Sequence, residues 1–197
     1  MLGVLAVLAA VLGVASAGKI CDPAYECKYF FDAGTDLWKW DFSDSCNEGE
    51  EFLYEVPNRA DNLAYHMQLC GIADHKCAPG SPYTTGTVLQ TYDAEGGSAC
   101  QVLGQGAPIF SAWPMDANNI PTGLNITFRG APPIVGETTC DFNPVTEAYD
   151  YRHSVFQLKC DYSVPMMVVD TIVEGPTCFY NIYGRSKHAC PETCNNM

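Results

Sequence analysis

Four cysteines divide the stretch from Cys140 to Pro191, and three polar side chains within it could do hydrogen-bond chemistry: Arg152, Glu174 and Tyr180. A guanidinium donates several hydrogen bonds in one plane, a carboxylate accepts them, and a phenol does both. Sugar hydroxyl groups need both kinds of partner. Because disulfide bonds would hold the strands that carry these side chains, the stretch indicates a carbohydrate site.

Catalytic motifs do not occur in the sequence. It has no GxSxG or HExxH pattern, and none of its four histidines stands in a recognisable catalytic setting. His75 beside Cys77 is typical of a loop next to a disulfide rather than of a metal site. Most carboxylates of an acidic secreted domain are solvated, so we expect a protein that is not an enzyme. A hydrolase with a carboxylate pair is the more distant alternative.

The first seventeen residues are an apolar run that ends in Ala15-Ser16-Ala17, which is typical of a cleaved secretory signal. Removing residues 1–17 leaves 197 − 17 = 180 residues, enough for one domain with a real core. No later stretch reaches the length of a membrane span. We therefore expect a signal peptide over 1–17 and a single domain over 18–197, with a cysteine-rich N-terminal lobe at about 18–60.

The eleven cysteines all follow the predicted signal and form no CxxC pair, which favours disulfides in an oxidising compartment over zinc. Because eleven is odd, at least one thiol is free or joins another chain, so a disulfide-linked partner is conceivable. The net charge of −13 repels nucleic acid and anionic lipid, so we expect neither as a partner.

Short runs of aromatic and β-branched residues, broken by Gly, Pro, Asn and Asp, dominate the mature sequence. Leu124–Phe128 and Phe156–Cys160 alternate apolar and polar residues as half-buried strands do, and Phe52–Val56 and Thr87–Tyr92 have strand composition. Residues 62–69 alone suggest a turn or two of helix. The fold class is therefore predicted as all-β, a disulfide-rich flattened barrel or sandwich of two antiparallel sheets.

The segment that begins at Cys178 carries a more specific pattern. It has a tyrosine two residues after the cysteine, alternating apolar strand residues, a serine, and then Ala-Cys-Pro. This pattern resembles the closing segment of mannose 6-phosphate receptor homology (MRH) domains. Gly184 departs from it, since an aromatic residue is common there. The matching positions are Cys178, Tyr180, Ile182, Ser186, Ala189, Cys190 and Pro191.

Three upstream segments extend the resemblance over about residues 60–191. Arg152 lies eight residues before Cys160, as in the cation-dependent receptor of this family. Residues 124–130, followed by Cys140, are similar to its strand, glycine turn and next cysteine. Residues 99–102 look like its glutamine-bearing strand.

The resemblance implies that the hydroxyls of a terminal mannose form hydrogen bonds with four side chains: Gln101, Arg152, Glu174 and Tyr180. Asp170 is the alternative to Glu174 for the acidic contact. It also implies two disulfides, Cys140–Cys178 and Cys160–Cys190. Cys70 would pair with a cysteine nearer the N-terminus or with Cys77 or Cys100. The sequence leaves this choice open, together with the partners of Cys21, Cys27, Cys46 and Cys194.

Family members bind either phosphorylated or plain mannose. The loop between Gly130 and Cys140 has no basic residue for a phosphate, and the charge of −13 favours neutral mannose. Glu137 resembles an acidic residue that helps to hold a divalent cation such as Mn²⁺ in the cation-dependent receptor. We otherwise expect no cofactor.

We therefore expect a soluble lectin of the secretory pathway (ER, Golgi, or endosome and lysosome lumen) or a secreted one. Its partners would be N-glycans or glycoproteins carrying mannose. Asn125-Ile126-Thr127 is a glycosylation acceptor that fits this route. The alternative is an adaptor subunit that keeps the fold without binding sugar.

Overall fold

The structure is a computed structural model that describes residues 27–32, 37–43, 51–75, 77, 85–94, 97–118, 120–131, 140, 142–143, 148–149, 151–175 and 178–193. The predicted signal peptide, Glu137, Cys21, Cys46 and Cys194 lie outside these ranges. In the part of the chain that is described, no helix combines the length and the apolar character that crossing a membrane requires.

Strands dominate the described residues, and a short 3-10 helix occupies Lys187–Ala189. In chain order the strands are β1 Lys28–Asp32, β2 Leu37–Asp41, β3 Phe52–Glu55, β4 Ala64–Met67, β5 Val88–Ala94, β6 Gly97–Ala112, β7 Gly123–Arg129, β8 Phe142–Asn143, β9 Ala148–Tyr149, β10 His153–Cys160, β11 Val168–Glu174, β12 Phe179–Ser186 and β13 Glu192–Thr193.

Period-two patterning explains why these segments are strands, since successive side chains point to opposite faces of a sheet. In β7 and β10 every second side chain is buried, and all four predicted strands are present. The helical turns suggested for residues 62–69 are wrong, because Tyr65 and Met67 of β4 alternate with half-buried neighbours. Leu63, which is also buried, extends that alternation towards the N-terminus, so the period over residues 63–67 is two rather than helical.

Eight strands form one continuous sheet in the order β11-β12-β10-β7-β6-β5-β4-β3. The long strand β6 belongs to both halves: residues up to Gly104 pair with β5, and residues from Gln105 pair with β7. Its register shifts beyond Gln105, beside Gly106, whose φ of 73° is a conformation that glycine adopts readily.

The two halves of this sheet face each other. The rings of Tyr65 in β4 and Tyr180 in β12 meet edge to face with centroids 6.4 Å apart. The predicted all-β, flattened-barrel fold class is therefore confirmed. Among the described strands, β10 and β12 form a parallel pair, with His153 opposite Phe179 and Cys160 opposite Ser186, whereas the other pairs are antiparallel.

A smaller sheet of order β1-β2-β13 joins the N-terminal part of the chain to its end. Trp40 of β2 is fully buried, and its Nε1 donates a hydrogen bond to the Ala189 carbonyl at 3.1 Å. Trp40 and Phe42 belong to the same buried cluster as Phe156 and Ile182 of the large sheet. The proposed boundaries at 17 and about 60 stay predictions.

Four disulfides connect described cysteines: Cys27–Cys70, Cys77–Cys100, Cys140–Cys178 and Cys160–Cys190. The last two are the pairs that the family resemblance implies. Cys70 bonds with the N-terminal Cys27, which is one of the alternatives that the sequence left open.

Candidate functional site

Glu174 and Tyr180 stand directly opposite each other in the antiparallel pair of β11 and β12. The Tyr180 hydroxyl donates a hydrogen bond to Glu174 Oε1 at 2.9 Å. Tyr180 is buried, whereas Glu174 is exposed at the end of its strand. The pair thus presents a fixed carboxylate at the surface, above an anchored phenol.

The environment keeps the Tyr180 phenol protonated. Burial raises the pKa of Tyr180, and the Glu174 charge and its hydrogen bond raise that pKa further. The Arg152 charge lowers the pKa of Tyr180 but is outweighed. The phenol therefore remains a hydrogen-bond donor, and its oxygen keeps an acceptor site.

Gln101 lies on β6 in register with Gln90 of β5, so both amides emerge on one face. Gln101 Nε2 donates to the Tyr92 hydroxyl at 3.1 Å, and Gln90 Nε2 donates to the Tyr65 hydroxyl at 3.0 Å. The Tyr92 hydroxyl therefore orients the Gln101 amide, and the Tyr65 hydroxyl orients the Gln90 amide.

One cleft of ≈ 230 Å³ brings three of the four predicted contacts together. Gln101, Glu174 and Tyr180 line it. Gln101 comes from a distant part of the sequence, whereas Glu174 and Tyr180 lie six residues apart. The cleft lies where the two halves of the sheet face each other. Amide, carboxylate and phenol groups converge in this cleft, where they offer donors and acceptors to a polar ligand.

Arg152, the fourth predicted contact, is 3% exposed and is not among the residues that line the cleft. Its carbonyl accepts a hydrogen bond from Gly130 N–H at 2.6 Å, and the next residue, His153, donates from N–H to the Cys178 carbonyl at 3.0 Å. Its charge still acts on Tyr180. The structure thus buries Arg152 outside the lining of the cleft, where its charge still acts on the phenol.

Cys178 lies between Glu174 and Tyr180 in the sequence. It adopts a left-handed conformation, with φ 59°, that non-glycine residues rarely take, and it is bonded to Cys140. Tyr180 follows Cys178 by two residues, so the fixed position of Cys178 also restrains the start of the strand that carries Tyr180. A strained backbone held by a covalent bond is typical of a position that the surrounding structure fixes.

Asp170, the competitor of Glu174, is engaged elsewhere. Its carboxylate takes hydrogen bonds from Arg185, with Nε to Oδ1 and Oδ2 at 3.2 and 3.1 Å and Nη2 to Oδ1 at 3.0 Å. Asp170 does not line the cleft. Glu174 is the acidic residue of β11 that the geometry brings to Gln101 and Tyr180.

Asn125 does not line the cleft. Asn125 is half-buried on β7, opposite Gln157 of β10 and Ser111 of β6, and its glycosylation stays a prediction. Glu137 lies outside the described residues. Within the described ranges, no group of three or more His, Cys, Asp or Glu side chains is arranged to hold a metal ion.

The chain is similar to an MRH domain. A comparison with solved structures matches it to the "Solution structure of the MRH domain of Yos9 complexed with alpha3,alpha6-Man5", with 17% sequence identity and a TM-score of 0.41. The match covers 75% of this chain and 80% of that chain. At this identity and score the match bears on neither the ligand nor the site residues. No family model matches the chain, and a search of curated proteins found no match.

Five further residues line the cleft that sequence reasoning did not find: Arg59, Asp61, Leu63, Gln90 and Tyr92. Gln90 and Tyr92 lie two residues apart on a predicted strand. This spacing could have indicated that their side chains share one face of the sheet. Arg59 and Asp61 lie between turn-forming Pro57-Asn58 and Asn62, which indicates a loop but no ligand contact.

Arg59 and Asp61 form a two-pronged ion pair at the rim of the cleft, with Nε to Oδ1 at 2.8 Å and Nη2 to Oδ2 at 2.5 Å. The hydrogen bond from Arg59 lowers the pKa of Asp61, so this carboxylate stays ionised. Asp61 also raises the pKa of Arg59, and Glu174 adds a smaller increase. The lining of the cleft therefore combines one arginine with two carboxylates.

Proposed function

We propose that the protein is a lectin that binds mannose-bearing N-glycans through the cleft of Gln101, Glu174 and Tyr180. Gln101 comes from one sequence segment, and Glu174 and Tyr180 flank Cys178 in another. Their convergence on one cleft supports this function. A carboxylate, an amide and a phenol offer both donors and acceptors to neighbouring hydroxyls. The proposal assigns binding without catalysis.

Arg152 contributes without lining the cleft. Its buried side chain carries a positive charge that acts on Tyr180 and offsets part of the negative charge of a carboxylate-lined site. A sugar with one hydroxyl inverted would leave such a site group unpaired, which costs about 1–3 kcal/mol. This cost is the proposed origin of the preference for mannose.

The charges around the cleft favour plain mannose over mannose 6-phosphate. Among its described lining residues, Arg59 is balanced by Asp61, and Glu174 adds a further negative charge. A phosphate would be repelled unless a cation intervened. Measuring glycan binding with and without added Mn²⁺ therefore tests the predicted role of Glu137.

Four disulfides are typical of a protein that folds in an oxidising compartment. We place the proposed lectin in the lumen of the secretory pathway, where N-glycoproteins carrying mannose are available as partners. The organelle within that route, and a disulfide-linked partner through Cys21, Cys46 or Cys194, stay predictions.

A glycan array tests the function directly. The folded protein should bind high-mannose glycans, without needing added Mn²⁺, and should prefer them to phosphomannosyl glycans. Gln101→Ala and Tyr180→Ala should each lose most of the signal. Gln157→Ala is the matched control, since Gln157 is half-buried on β10 and lines no part of the cleft.

Two results would count against the proposal. Binding by both cleft variants at the level of the parent would mean that the site is wrong. A folded parent that binds no glycan, together with a complex that is held by disulfides on non-reducing gels, would favour the adaptor alternative.

A further inference from the structure

A cleft of ≈ 510 Å³ lies beside the small sheet of β1, β2 and β13, and it shares no described lining residue with the proposed mannose cleft. Its volume falls in the range of about 300–1,000 Å³ that is typical of a small-molecule site. Although the net charge of the chain is −13, three of its ten basic residues line this lysine cleft: Lys28 of β1, Lys39 of β2 and Lys187 of the 3-10 helix.

Acidic side chains in the lining balance only part of this positive charge. Asp41 Oδ2 lies 3.3 Å from Lys28 Nζ and 3.1 Å from Lys39 Nζ, so one carboxylate is shared by two ammonium groups. Glu192 stands opposite Lys39 in the pair of β13 and β2 and adds a second negative charge. No acidic side chain among the described residues forms an ion pair with Lys187, which is half-buried. The described lining therefore keeps an excess of positive charge.

The short helix that carries Lys187 has a fixed position. Lys187 N–H donates to the Val164 carbonyl at 2.8 Å, and the Lys187 carbonyl accepts from Cys190 N–H at 3.0 Å. Cys190 is in turn bonded to Cys160 of β10. The backbone that positions the Lys187 ammonium is thus held before any ligand binds, which suits a binding site.

His188, which also lines the lysine cleft, has an unsatisfied ring nitrogen. Its Nδ1 lies 3.2 Å from the Asp41 carbonyl oxygen, which can only accept, so Nδ1 is the donor. The other nitrogen, Nε2, is buried and has no hydrogen-bond partner among the described residues. A buried polar atom without a partner is rare and indicates an ion or a water molecule at this position.

These features suit a ligand that carries a tetrahedral oxyanion, that is, a phosphate or a sulfate group. Lysine binds such groups as a point charge with three donors, so Lys28 and Lys39 retain donors beyond those used on Asp41. Physiological salt screens charges that lie beyond about 8 Å, so remote carboxylates oppose binding less than the lysines favour it.

The rest of the lining is consistent with a small anion. Its described residues include no aliphatic side chain, which an apolar or peptide ligand would need. Tyr162 is 76% exposed at the cleft and offers its ring to the organic part of an ester.

We propose that the lysine cleft binds a phosphate or sulfate group, with the ammonium groups of Lys28, Lys39 and Lys187 around the anion. The bound group balances the positive charge that the acidic residues of the lining leave uncompensated. The site is independent of the proposed lectin function, because the two clefts share no described residue.

Calorimetric titration in a neutral chloride buffer tests this site with inorganic phosphate, inorganic sulfate, phenyl phosphate and phenyl sulfate. The parent should bind at least one of these probes, and its affinity should fall as the salt concentration rises. Comparison of the phosphate and sulfate probes identifies the anion. Comparison of each ion with its ester shows whether the site takes a free ion or a group on a larger molecule.

Lys187→Gln should weaken binding of the best probe about tenfold, as expected for the loss of one charge-assisted contact. Lys28→Gln, which leaves Asp41 paired with Lys39, should weaken it several-fold. Lys159→Gln is the matched control, since it removes the same charge from an exposed lysine that lines neither cleft. That variant should bind the probe as the parent does.

Three results would overturn the site: no binding of any probe by the folded parent up to about 10 mM, an equal loss in Lys187→Gln and Lys159→Gln, or unchanged binding in both Lys187→Gln and Lys28→Gln. An equal loss in the control would show attraction by overall charge rather than by contact. A parent that binds an oxyanion but no mannoside supports this site and contradicts the lectin function alone.

Discussion

The Tyr180 hydroxyl donates a hydrogen bond to Glu174 Oε1 at 2.9 Å, between residues that face each other across paired strands. The phenol is buried and needs an acceptor, which the Glu174 carboxylate supplies. The pair defines one wall of the cleft, and its integrity should decide both affinity and local stability.

Tyr180→Phe removes the donor and leaves the ring. We expect mannose affinity to fall about tenfold, because the ligand loses the phenol and Glu174 loses its orientation. Stability should fall by only about 1 kcal/mol. Calorimetry with methyl α-mannoside and urea unfolding measure the two effects. Tyr183→Phe, on the same strand but outside the cleft, is the control; an equal loss of affinity in both variants would contradict this role.

Glu174→Gln and Asp170→Asn separate the two acidic candidates of β11. Glu174 lines the cleft, whereas Asp170 is paired with Arg185 on the surface. We expect the first substitution to weaken mannose binding about tenfold or more, because an amide oxygen is a weaker acceptor than a carboxylate. The second should leave binding unchanged. The reverse order in a titration would assign the sugar contact to Asp170.

Gly130→Ala should displace Arg152 without altering any polar group. A Cβ at Gly130 would lie 2.8 Å from the Leu103 carbonyl oxygen and 2.9 Å from Arg152 Cβ, so the backbone or the arginine must move. We expect a stability loss of about 1–3 kcal/mol and weaker mannose binding. Gly175→Ala is the control, since its nearest neighbour would be 3.4 Å away, an ordinary contact. Normal mannose binding by folded Gly130→Ala would show that Arg152 does not support the site.

Acidification should destabilise the region around His75. Burial lowers the pKa of this imidazole, and the charge of His66, whose ring stacks on it with centroids 4.0 Å apart, lowers it further, while Glu51 acts in the opposite direction. In the window between this lowered pKa and the unfolded value of about 6.5, the unfolded chain binds more protons. Stability should therefore fall as the pH falls through that window.

Urea unfolding of the parent and of His75→Gln at about pH 7.5 and about pH 5.5 measures this effect around the ordinary pKa of histidine. The parent should lose more stability than the variant between the two conditions. Ionisable groups remote from His75 are common to both proteins, so their contribution cancels in the comparison. Identical losses would mean that His75 does not titrate differently on folding.

Much of this protein follows from its sequence alone, because the relevant signals are local. Alternating residues in 124–128 and 156–160 predicted β7 and β10, since period-two burial needs no knowledge of the partner strand. Cysteine-centred motifs identified Gln101, Glu174 and Tyr180, which prove to line one cleft.

Tertiary structure decided what depends on distant neighbours. The parallel pairing of β10 with β12, the choice of Cys27 for Cys70, and the meeting of Tyr65 with Tyr180 join segments whose local sequence carries no mutual signal. The same holds for Arg59 and Asp61, whose loop is recognisable as a turn. Its position at the cleft comes from hydrogen bonds with Asp93, a contact between the loop and β5 that sequence spacing does not encode.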